Sequence, residues 1–432
     1  MTAQMWICLI IMVAAVISFL FLTKWIPMGL TAMCAMVLFS LTGCLDTSSA
    51  LSGFANTSTI LMGSMFVVSA AFNRTQFAKS LAANISRIAK GSFTKIMFGY
   101  ALLTALLINF TGSPLATLTM VAPLLSLSCQ AINISPSKSI FGMSILAVAV
   151  SNILPFSGAV NATAQWNGYM EAQGYVTYQA NLMDHLIARW PILIFCIVYA
   201  VFVAPRLSAS TPSIPIVGGV ASKDDKTPLL KPFQERAAYI IFFATIIAFL
   251  FSSQLGLEAW QISMTGACLV LLTRVMSGKE AVMAIPWNIM FLFAGCLSMG
   301  QALTSTGLGD VIGQALANVS YSIENPYLVG LLFYFVPFAM TQFMSNNTVM
   351  VLFQPLIVAM CKYMGANPIG LMNIVQQACL AAFMTPLATT STPVAIAYGG
   401  YNLKDLVKQG SVPGVLIGLI MVFWTMTVMP MF

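Results

Sequence analysis

Residues 342–355, QFMSNNTVMVLFQP, and residues 109–123, NFTGSPLATLTMVAP, each place a polar cluster and then a proline inside a long apolar segment. The two segments, 96–129 and 328–361, are too long for a single bilayer crossing, which takes about 20 residues. Backbone that leaves the helix at membrane depth must face protein or a wet cavity, because lipid cannot pair its N–H and C=O groups. The pattern predicts two re-entrant hairpins; two spanning helices joined by a polar loop are the alternative for each.

The remaining sequence is that of an all-α polytopic membrane protein. Of its 432 residues, 59% are hydrophobic and 7% are charged, against about 25% charged residues in soluble domains. The nine cysteines form no C-x-x-C pair, which argues against a metal centre. Basic patches interleaved with aromatic residues are also missing, which argues against nucleic acid. Ten spanning segments are predicted, two of them broken by prolines: 5–22, 27–43, 58–73, 138–172, 188–204, 236–253, 258–273, 284–303, 368–400 and 411–430.

The basic residues predict which side of the membrane each loop faces. With both hairpins returning to their own side, all but Arg189 and Lys362 of the 18 Lys and Arg residues fall on one face. Basic residues collect on the cytoplasmic side, so we expect a cell-membrane protein with both termini outside. Residues 76–91 are predicted to form an interfacial amphipathic helix. Arg189 is expected on the outer face, and His185, the only histidine, at a solvated loop edge.

The sequence repeats at a nearly constant offset. Ser113 and Ser345, the serines of the two hairpins, are 232 positions apart, and the prolines that follow them keep this separation. A broken span follows each hairpin, at 138–172 and at 368–400. Each repeat has an odd number of crossings, which inverts the second repeat, and inverted repeats with interrupted helices are typical of transporter binding sites. The predicted organisation is a first repeat at 1–204, a cytoplasmic linker at 205–235 and a second repeat at 236–432.

The hairpin tips and the helix breaks are expected to meet near the middle of the membrane. They contain hydroxyls, amides and backbone groups but no ionisable side chain. A helix that begins there presents unpaired N–H groups and about half a positive charge to an anion, and the opposite carbonyl ends suit Na⁺. The alternative is that these polar side chains only join helices. The predicted anion-binding residues are Ser113, Pro114, Asn161, Ser345, Asn346, Asn347, Thr389 and Thr390.

Four strings resemble the divalent anion:sodium symporter family of the ion transporter superfamily: GFANTSTILMGSMFVVSAAFNRTQF (53–77), PWNIMFLFAGCLSMGQALTSTGL (286–308), QFMSNNTVMVLFQP (342–355) and AFMTPLATTSTPVAIAYGGY (382–401). The resemblance implies Na⁺-coupled symport of a di- or tricarboxylate or sulfate by a homodimer that uses an elevator motion. It also implies a Ser-Asn-Thr motif at each hairpin tip, with Na⁺ between the tip and the neighbouring break. The implied Na⁺ ligands are Thr341, Ser345, Asn346 and Ala388 in the second half and Asn109, Ser113 and Gly158 in the first.

The first motif departs from the pattern of that family. Ser113 matches, but Pro114 and Leu115 stand where Asn and Thr are expected, and Gly158 replaces a threonine at the break. These departures leave a cation-independent exchanger of the same fold as an alternative, beside a cation/proton antiporter or an oxyanion extruder of the superfamily. No catalytic acid, histidine or nucleophile pair is predicted at membrane depth, so the sequence does not predict an enzyme, and no cofactor other than the coupling ion is expected.

Overall fold

A computed structural model of the chain describes residues 2–22, 25–77, 80, 85, 89, 91–208, 211–214, 216, 230–323, 325–343, 345–385, 389 and 391–431. Every regular element in these residues is a helix. The first half contains α1 (Ala3–Phe21), α2 (Met28–Leu41), α3 (Thr47–Ala55), α4 (Thr57–Asn73), α5 (Phe93–Thr111), α6 (Pro114–Gln130), α7 (Ile140–Ala149), α8 (Ser157–Ala172) and α9 (Asp184–Val198), which continues as a π-helical turn. The second half contains α10 (Pro232–Leu250), α11 (Ala259–Leu272), α12 (Gly278–Ala284), α13 (Trp287–Thr306), α14 (Leu308–Ile323), α15 (Pro326–Thr341), α16 (Asn346–Met364), α17 (Ile369–Cys379), α18 (Thr392–Gly399) and α19 (Leu403–Val428). The predicted interfacial helix at 76–91 and the predicted linker at 205–235 lie largely outside the described residues.

The helices of the two halves correspond in order. Helices α5 and α6 form the first hairpin, and α15 and α16 form the second, each joined by a short tip. The first broken helix stops at Ala149 and resumes at Ser157, and the second stops at Cys379 and resumes at Thr392. The predicted all-α membrane fold with hairpins and broken helices is therefore confirmed.

Six helices are long and apolar enough to cross a membrane, and six shorter apolar helices accompany them within the described residues. Helical structure begins earlier than predicted in two places, because α3 precedes α4 and α12 precedes α13. Asp46 caps α3 by accepting hydrogen bonds from the Ser48 and Ser49 N–H groups, and Ser277 caps α12 in the same way through the Glu280 N–H. These caps explain the early starts, because a side-chain oxygen satisfies N–H groups that the first turn leaves unpaired.

Each half inserts a helix into the other half. Helix α2 packs against α13, where a Cβ added to Gly295 would lie 2.7 Å from the Ala32 Cβ. Helix α11, the counterpart of α2, packs against α4, the counterpart of α13, and a Cβ added to Gly266 would lie 3.1 Å from Val68. Small residues let membrane helices approach closely enough for dispersion contacts to hold them. The two halves therefore form one interlocked unit.

The loop after α8 is tied to the second hairpin. Gln173 donates from Nε2 to the Pro355 carbonyl at 2.8 Å, and Lys362 donates from Nζ to the Gln173 carbonyl at 2.7 Å. Tyr175 donates from its hydroxyl to the Ala366 carbonyl at 2.8 Å. These bonds join the end of α8 to the arm α16.

Candidate functional site

A cavity of about 630 Å³ lies where the two hairpin tips meet the two broken helices. Helices α4 and α13, the counterparts of each other, supply its remaining walls. No residue of its described lining carries a formal charge. Of the predicted anion-binding residues, Thr390 lies outside the described residues. The cavity brings the other seven together: Ser113, Pro114, Asn161, Ser345, Asn346, Asn347 and Thr389.

The first tip is a tight turn between two helices. Helix α5 ends at Gly112, whose φ of 62° is accessible to glycine at little cost. Ser113 caps α6 by accepting from the Ala116 N–H at 3.3 Å, and Pro114 occupies the first turn of the helix, where a missing N–H costs nothing. Thr111 bonds Thr117 through their hydroxyls at 2.9 Å. The tip is thus held by its own hydroxyls.

The second tip carries amides in place of the proline. Ser345 caps α16 by accepting from the Thr348 N–H at 3.2 Å. Asn346 and Asn347 follow and line the cavity. Thr341, which is fully buried at the end of α15, donates from Oγ1 to Asn346 Oδ1 at 2.9 Å and lies 3.4 Å from the Cys379 carbonyl oxygen. Hydroxyl, amide and carbonyl oxygens therefore converge between this tip and the second break.

Asn109 holds the first break and does not line the cavity. Its Nδ2 donates to the Ala105 and Val150 carbonyls at 2.8 and 3.0 Å. Its Oδ1 accepts from the N–H groups of Ile153 and Leu154 at 2.9 and 2.8 Å. Both lone-pair directions of this oxygen are occupied, so the structure does not support Asn109 as a Na⁺ ligand. The other two predicted ligands of the first half, Ser113 and Gly158, do line the cavity.

Gln342 holds the second break in the same way, and sequence reasoning missed it. Its Nε2 donates to the Phe338 and Ala381 carbonyls at 3.0 and 3.3 Å. Its Oε1 accepts from the Met384 N–H at 3.2 Å, and its carbonyl accepts from the Thr385 hydroxyl. The repeat had paired Asn109 with Thr341; a shift by one residue would have revealed the matched pair of amides, which we call the amide clamps.

The glycine at the first break is required by a neighbouring asparagine. Asn152 has a φ of 60°, and its Oδ1 would lie 1.9 Å from a Cβ added to Gly158. Ser151 donates from its hydroxyl to the same Oδ1 at 3.0 Å. Asn152 lines the cavity, so its side chain occupies the place where a threonine at position 158 would project.

Three amide oxygens at the cavity are buried and have no hydrogen-bond partner. They belong to Asn73, Asn161 and Gln376, all of which line the cavity. Gln376 is 2% exposed and was not predicted as a site residue. Its signal in the sequence was a group of three amides, Asn373, Gln376 and Gln377, in the helix that precedes the second break. Since buried polar atoms without partners are rare in native proteins, these oxygens point to a bound polar solute or ion.

Thr389 marks the second break at the cavity. Its hydroxyl bonds those of Ser391 and Thr392 at 2.7 and 3.1 Å. Ala388, the predicted backbone ligand of Na⁺, lies outside the described residues. The described oxygens of Thr341 and Asn346 are of the kind that Na⁺ prefers in broken-helix sites.

The prediction of a solvated His185 is wrong, and nothing in the sequence indicated that Arg189 is buried. His185 was expected at a solvated loop edge, but it is fully buried in α9, and Arg189 of the same helix is fully buried as well. His185 packs its ring against Trp166 with centroids 4.4 Å apart and bonds Thr163 Oγ1 from Nε2 at 3.0 Å. Arg189 donates from Nη2 to the Ser151 carbonyl at 2.9 Å, so it lies directly behind the cavity wall.

The comparison with known proteins identifies the family. A model of the citrate transporter family matches residues 18–376 of the chain. The chain belongs to the citrate transporter family. Membership makes it a multi-pass membrane transporter and not an enzyme, and it agrees with the resemblance to the divalent anion:sodium symporters.

Two similar transporters align with most of this member of the citrate transporter family, and a third aligns with about a third of it. An uncharacterised transporter of Haemophilus influenzae is 23% identical and aligns with 92% of the chain and 86% of its own length. The sodium-dependent dicarboxylate transporter SdcS of Staphylococcus aureus is 20% identical over 95% of the chain and 83% of its own length. The human Na⁺/dicarboxylate cotransporter 3 is 31% identical, but over 36% of the chain and 26% of its own length.

Solved transporters share the fold of the chain. The YdaH transporter of Alcanivorax borkumensis superposes with a TM-score of 0.62 at 13% identity, covering 99% of this chain and 98% of that chain. MtrF of Neisseria gonorrhoeae, described as an antimetabolite efflux pump, superposes with a TM-score of 0.60 at 9% identity, covering 90% and 83%. At these identities the likeness concerns the fold alone.

Proposed function

We propose that this chain is a secondary active transporter that carries a small di- or tricarboxylate, or a sulfate-like anion, together with Na⁺. The observation that supports the proposal is the cavity between the hairpin tips and the helix breaks. It offers neutral polar groups from both halves and has no charged residue in its described lining. A solute that needs a charged partner in the wall would find none there.

The anion is held by helix N-termini and their neighbouring amides. Helices α6, α8 and α16 begin at the cavity, and each first turn has N–H groups without partners inside the helix. Asn346, Asn347 and Asn161 add amide groups beside them. Such ends bind carboxylate and sulfate oxygens through N–H groups and the positive end of the helix dipole.

The coupling cation is held in the second half. Thr341, Ser345 and Asn346 supply oxygens between the second tip and the second break. The carbonyl end of α17 faces this group, since Cys379 O lies within hydrogen-bonding distance of Thr341 Oγ1. Hard cations prefer oxygen ligands of this type.

Uptake by proteoliposomes tests both parts. We expect radiolabelled citrate, succinate or sulfate to accumulate with an inward Na⁺ gradient and not with choline, and Asn346→Ala to reduce this uptake at least about tenfold, because one side chain serves both ligands. Asn325→Ala is the matched control, since Asn325 caps the start of α15, the other arm of the same hairpin. Equal uptake with and without Na⁺ would contradict the coupling.

A cation-independent exchanger is the second candidate. It is favoured by Asn109, whose side-chain oxygen is fully used by the break and cannot serve a first Na⁺ site. Vesicles preloaded with unlabelled citrate would then show counterflow of labelled citrate without Na⁺. Counterflow that requires Na⁺ would reject this candidate in favour of symport.

The family resemblance also supports a homodimer with an elevator motion, and the distribution of the basic residues supports a cell-membrane location with both termini outside. The proposed scaffold consists of α1, α2, α10 and α11, which pair as α1 with α2 and α10 with α11. Chemical cross-linking in intact membranes tests the dimer, and labelling of cysteines placed at either terminus tests the orientation. If the cysteines at both termini were labelled only after the membrane is permeabilised, the proposed orientation would be contradicted.

A further inference from the structure

Arg189 is a buried cation placed on the first helix break. Its side chain is 0% exposed. Nη2 donates to the Ser151 and Ala149 carbonyls at 2.9 and 3.4 Å, Nη1 donates to the Asn152 carbonyl at 3.4 Å, and Nε donates to Gln377 Oε1 at 2.8 Å. The guanidinium therefore binds the free carbonyl end of α7, which carries the negative end of a helix dipole.

No carboxylate balances this charge within the described part of the chain. The ion pair that the described residues form joins Arg74 to Glu280, elsewhere in the molecule. The nearest titratable neighbour along α9 is His185, whose ring packs against Trp166 and whose Nε2 forms a hydrogen bond with Thr163. An arginine stays protonated in proteins, and carbonyl dipoles compensate a buried charge only in part. The break thus carries a net positive charge whether or not a solute is bound.

The Arg189 guanidinium lies behind the backbone that lines the cavity. Ser151 and Asn152, whose carbonyls it binds, line the cavity themselves, as does Gly158 beside them. This is the space between the first tip and the first break, where the family resemblance implies a Na⁺ ion. The carbonyls that would face such an ion are held by Arg189, and the amide of Asn109 is held by the break.

Among the described residues of the second half, no basic side chain binds the carbonyl end of α17 in this way. The carbonyls at the end of α17 accept from neutral groups, Thr341 at Cys379 and Gln342 at Ala381. The basic residues of α19, the counterpart of α9, are Lys404 and Lys408, which are both exposed at its start. The described groups at the two breaks therefore differ in charge.

We infer that the Arg189 guanidinium is a fixed cation that replaces a bound Na⁺ in the first half, so that the transported anion is balanced by this guanidinium and by at most one mobile cation in the second half. The inference rests on the proposed function, since it concerns the same site. It follows that an anion can be attracted to the first half without any ion having bound there.

Binding to the purified full-length protein tests the inference. We would measure radiolabelled citrate and succinate binding over a range of NaCl, with choline chloride keeping ionic strength constant, for wild type, Arg189→Gln and Arg189→Lys. We expect a Hill coefficient for Na⁺ of about one in wild type. Arg189→Gln should weaken anion binding at least about tenfold at each Na⁺ concentration, and Arg189→Lys should weaken it less, because a protonated lysine keeps the charge but not the four hydrogen bonds of the guanidinium.

Lys408→Gln is the control for charge, since it removes one positive charge from the counterpart helix at an exposed position, and it should bind as wild type does. Thermal unfolding of each variant separates loss of the fold from loss of the charge. Wild-type affinity in a folded Arg189→Gln protein, or equal weakening in the two folded arginine variants, would overturn the inference. If Arg189→Gln does not fold, the wild-type Hill coefficient decides, and a value of about two overturns it.

The same experiment distinguishes the two proposals. Transport of citrate with two Na⁺ ions per cycle in proteoliposomes would leave the proposed function standing and reject the inference. Transport of none of the anions, with binding still dependent on the charge at position 189, would reject the proposed function and leave the inference standing.

Discussion

Asn152 and Gly158 share one small space at the first break, and each explains the other. Asn152 adopts a φ of 60°, which an L-residue other than asparagine or aspartate rarely does. Its side chain then fills the position that a Cβ at residue 158 would need. The loss of the threonine that the resemblance led us to expect at this position is therefore accompanied by a side-chain oxygen from Asn152.

Substitutions at these two residues should be coupled. Gly158→Ala should destabilise the protein by about 1–3 kcal/mol, because the new methyl group overlaps Asn152 Oδ1. In an Asn152→Gly background the same change should cost much less, since glycine removes the side chain and accepts the positive φ. Thermal unfolding in detergent measures both, as a double-mutant cycle. Additive effects would show that the contact does not limit residue 158.

At the level of elements, the two amide clamps hold breaks that regular hydrogen bonding cannot hold. A helix that stops inside a membrane leaves N–H and C=O groups that water does not reach. Asn109 and Gln342 each bond a carbonyl one turn back and then bond backbone groups within the break. One residue thereby fixes a hairpin arm to a broken helix in each half.

Removing a clamp should loosen its own break and leave the other unchanged. In Asn109→Leu, the N–H groups of Ile153 and Leu154 lose their acceptor, at a cost of about 1–3 kcal/mol for each buried group. Hydrogen exchange should therefore accelerate at 150–154. Gln342→Leu should accelerate exchange at 381–385 instead. Similar changes at both breaks in either variant would mean that the clamps act through global stability.

The sequence was sufficient to predict the hairpins and the breaks, because polar clusters and prolines inside apolar runs are local signals. It was sufficient to place Ser345 and Asn346 beside Ser113, because the repeat relates them. It could not place Arg189, since a charge is assigned to the surface unless its tertiary partners are known. Nor could it pair Asn109 with Gln342. The two side chains differ in length and lie 233 positions apart, one more than the offset between the hairpin serines, yet they make equivalent hydrogen bonds.

In the whole molecule, the packing of α2 against α13 and of α11 against α4 holds the two halves together. The closest approach involves Gly53 in α3, where an added Cβ would lie 2.2 Å from the Ala294 carbonyl oxygen of α13. Backbone so close to backbone leaves no room for adjustment by a side chain. Contacts of this type tie each half to the other along the sides of the cavity.

Enlarging that contact should therefore affect the entire protein. Gly53→Val should force α3 away from α13, lower the yield of folded protein and reduce the unfolding temperature, with a cost at or above the usual overpacking range of about 1–3 kcal/mol. Gly278→Ala is the matched control, because an added Cβ there meets nothing within 4 Å. Size-exclusion profiles and thermal unfolding measure the difference. A stable Gly53→Val protein would show that the helices can separate freely.

The hydrogen bonds that join Gln173 and Tyr175 to the second hairpin, including the one donated by Lys362 of α16, restrict how the cavity can open. A gate made of this hairpin alone would have to break all of them, at about 1 kcal/mol for each bond. The arm α16 and the end of α8 should instead move as a single piece when the cavity opens. Solute would then enter when that piece slides past its neighbours, with the three hydrogen bonds intact throughout.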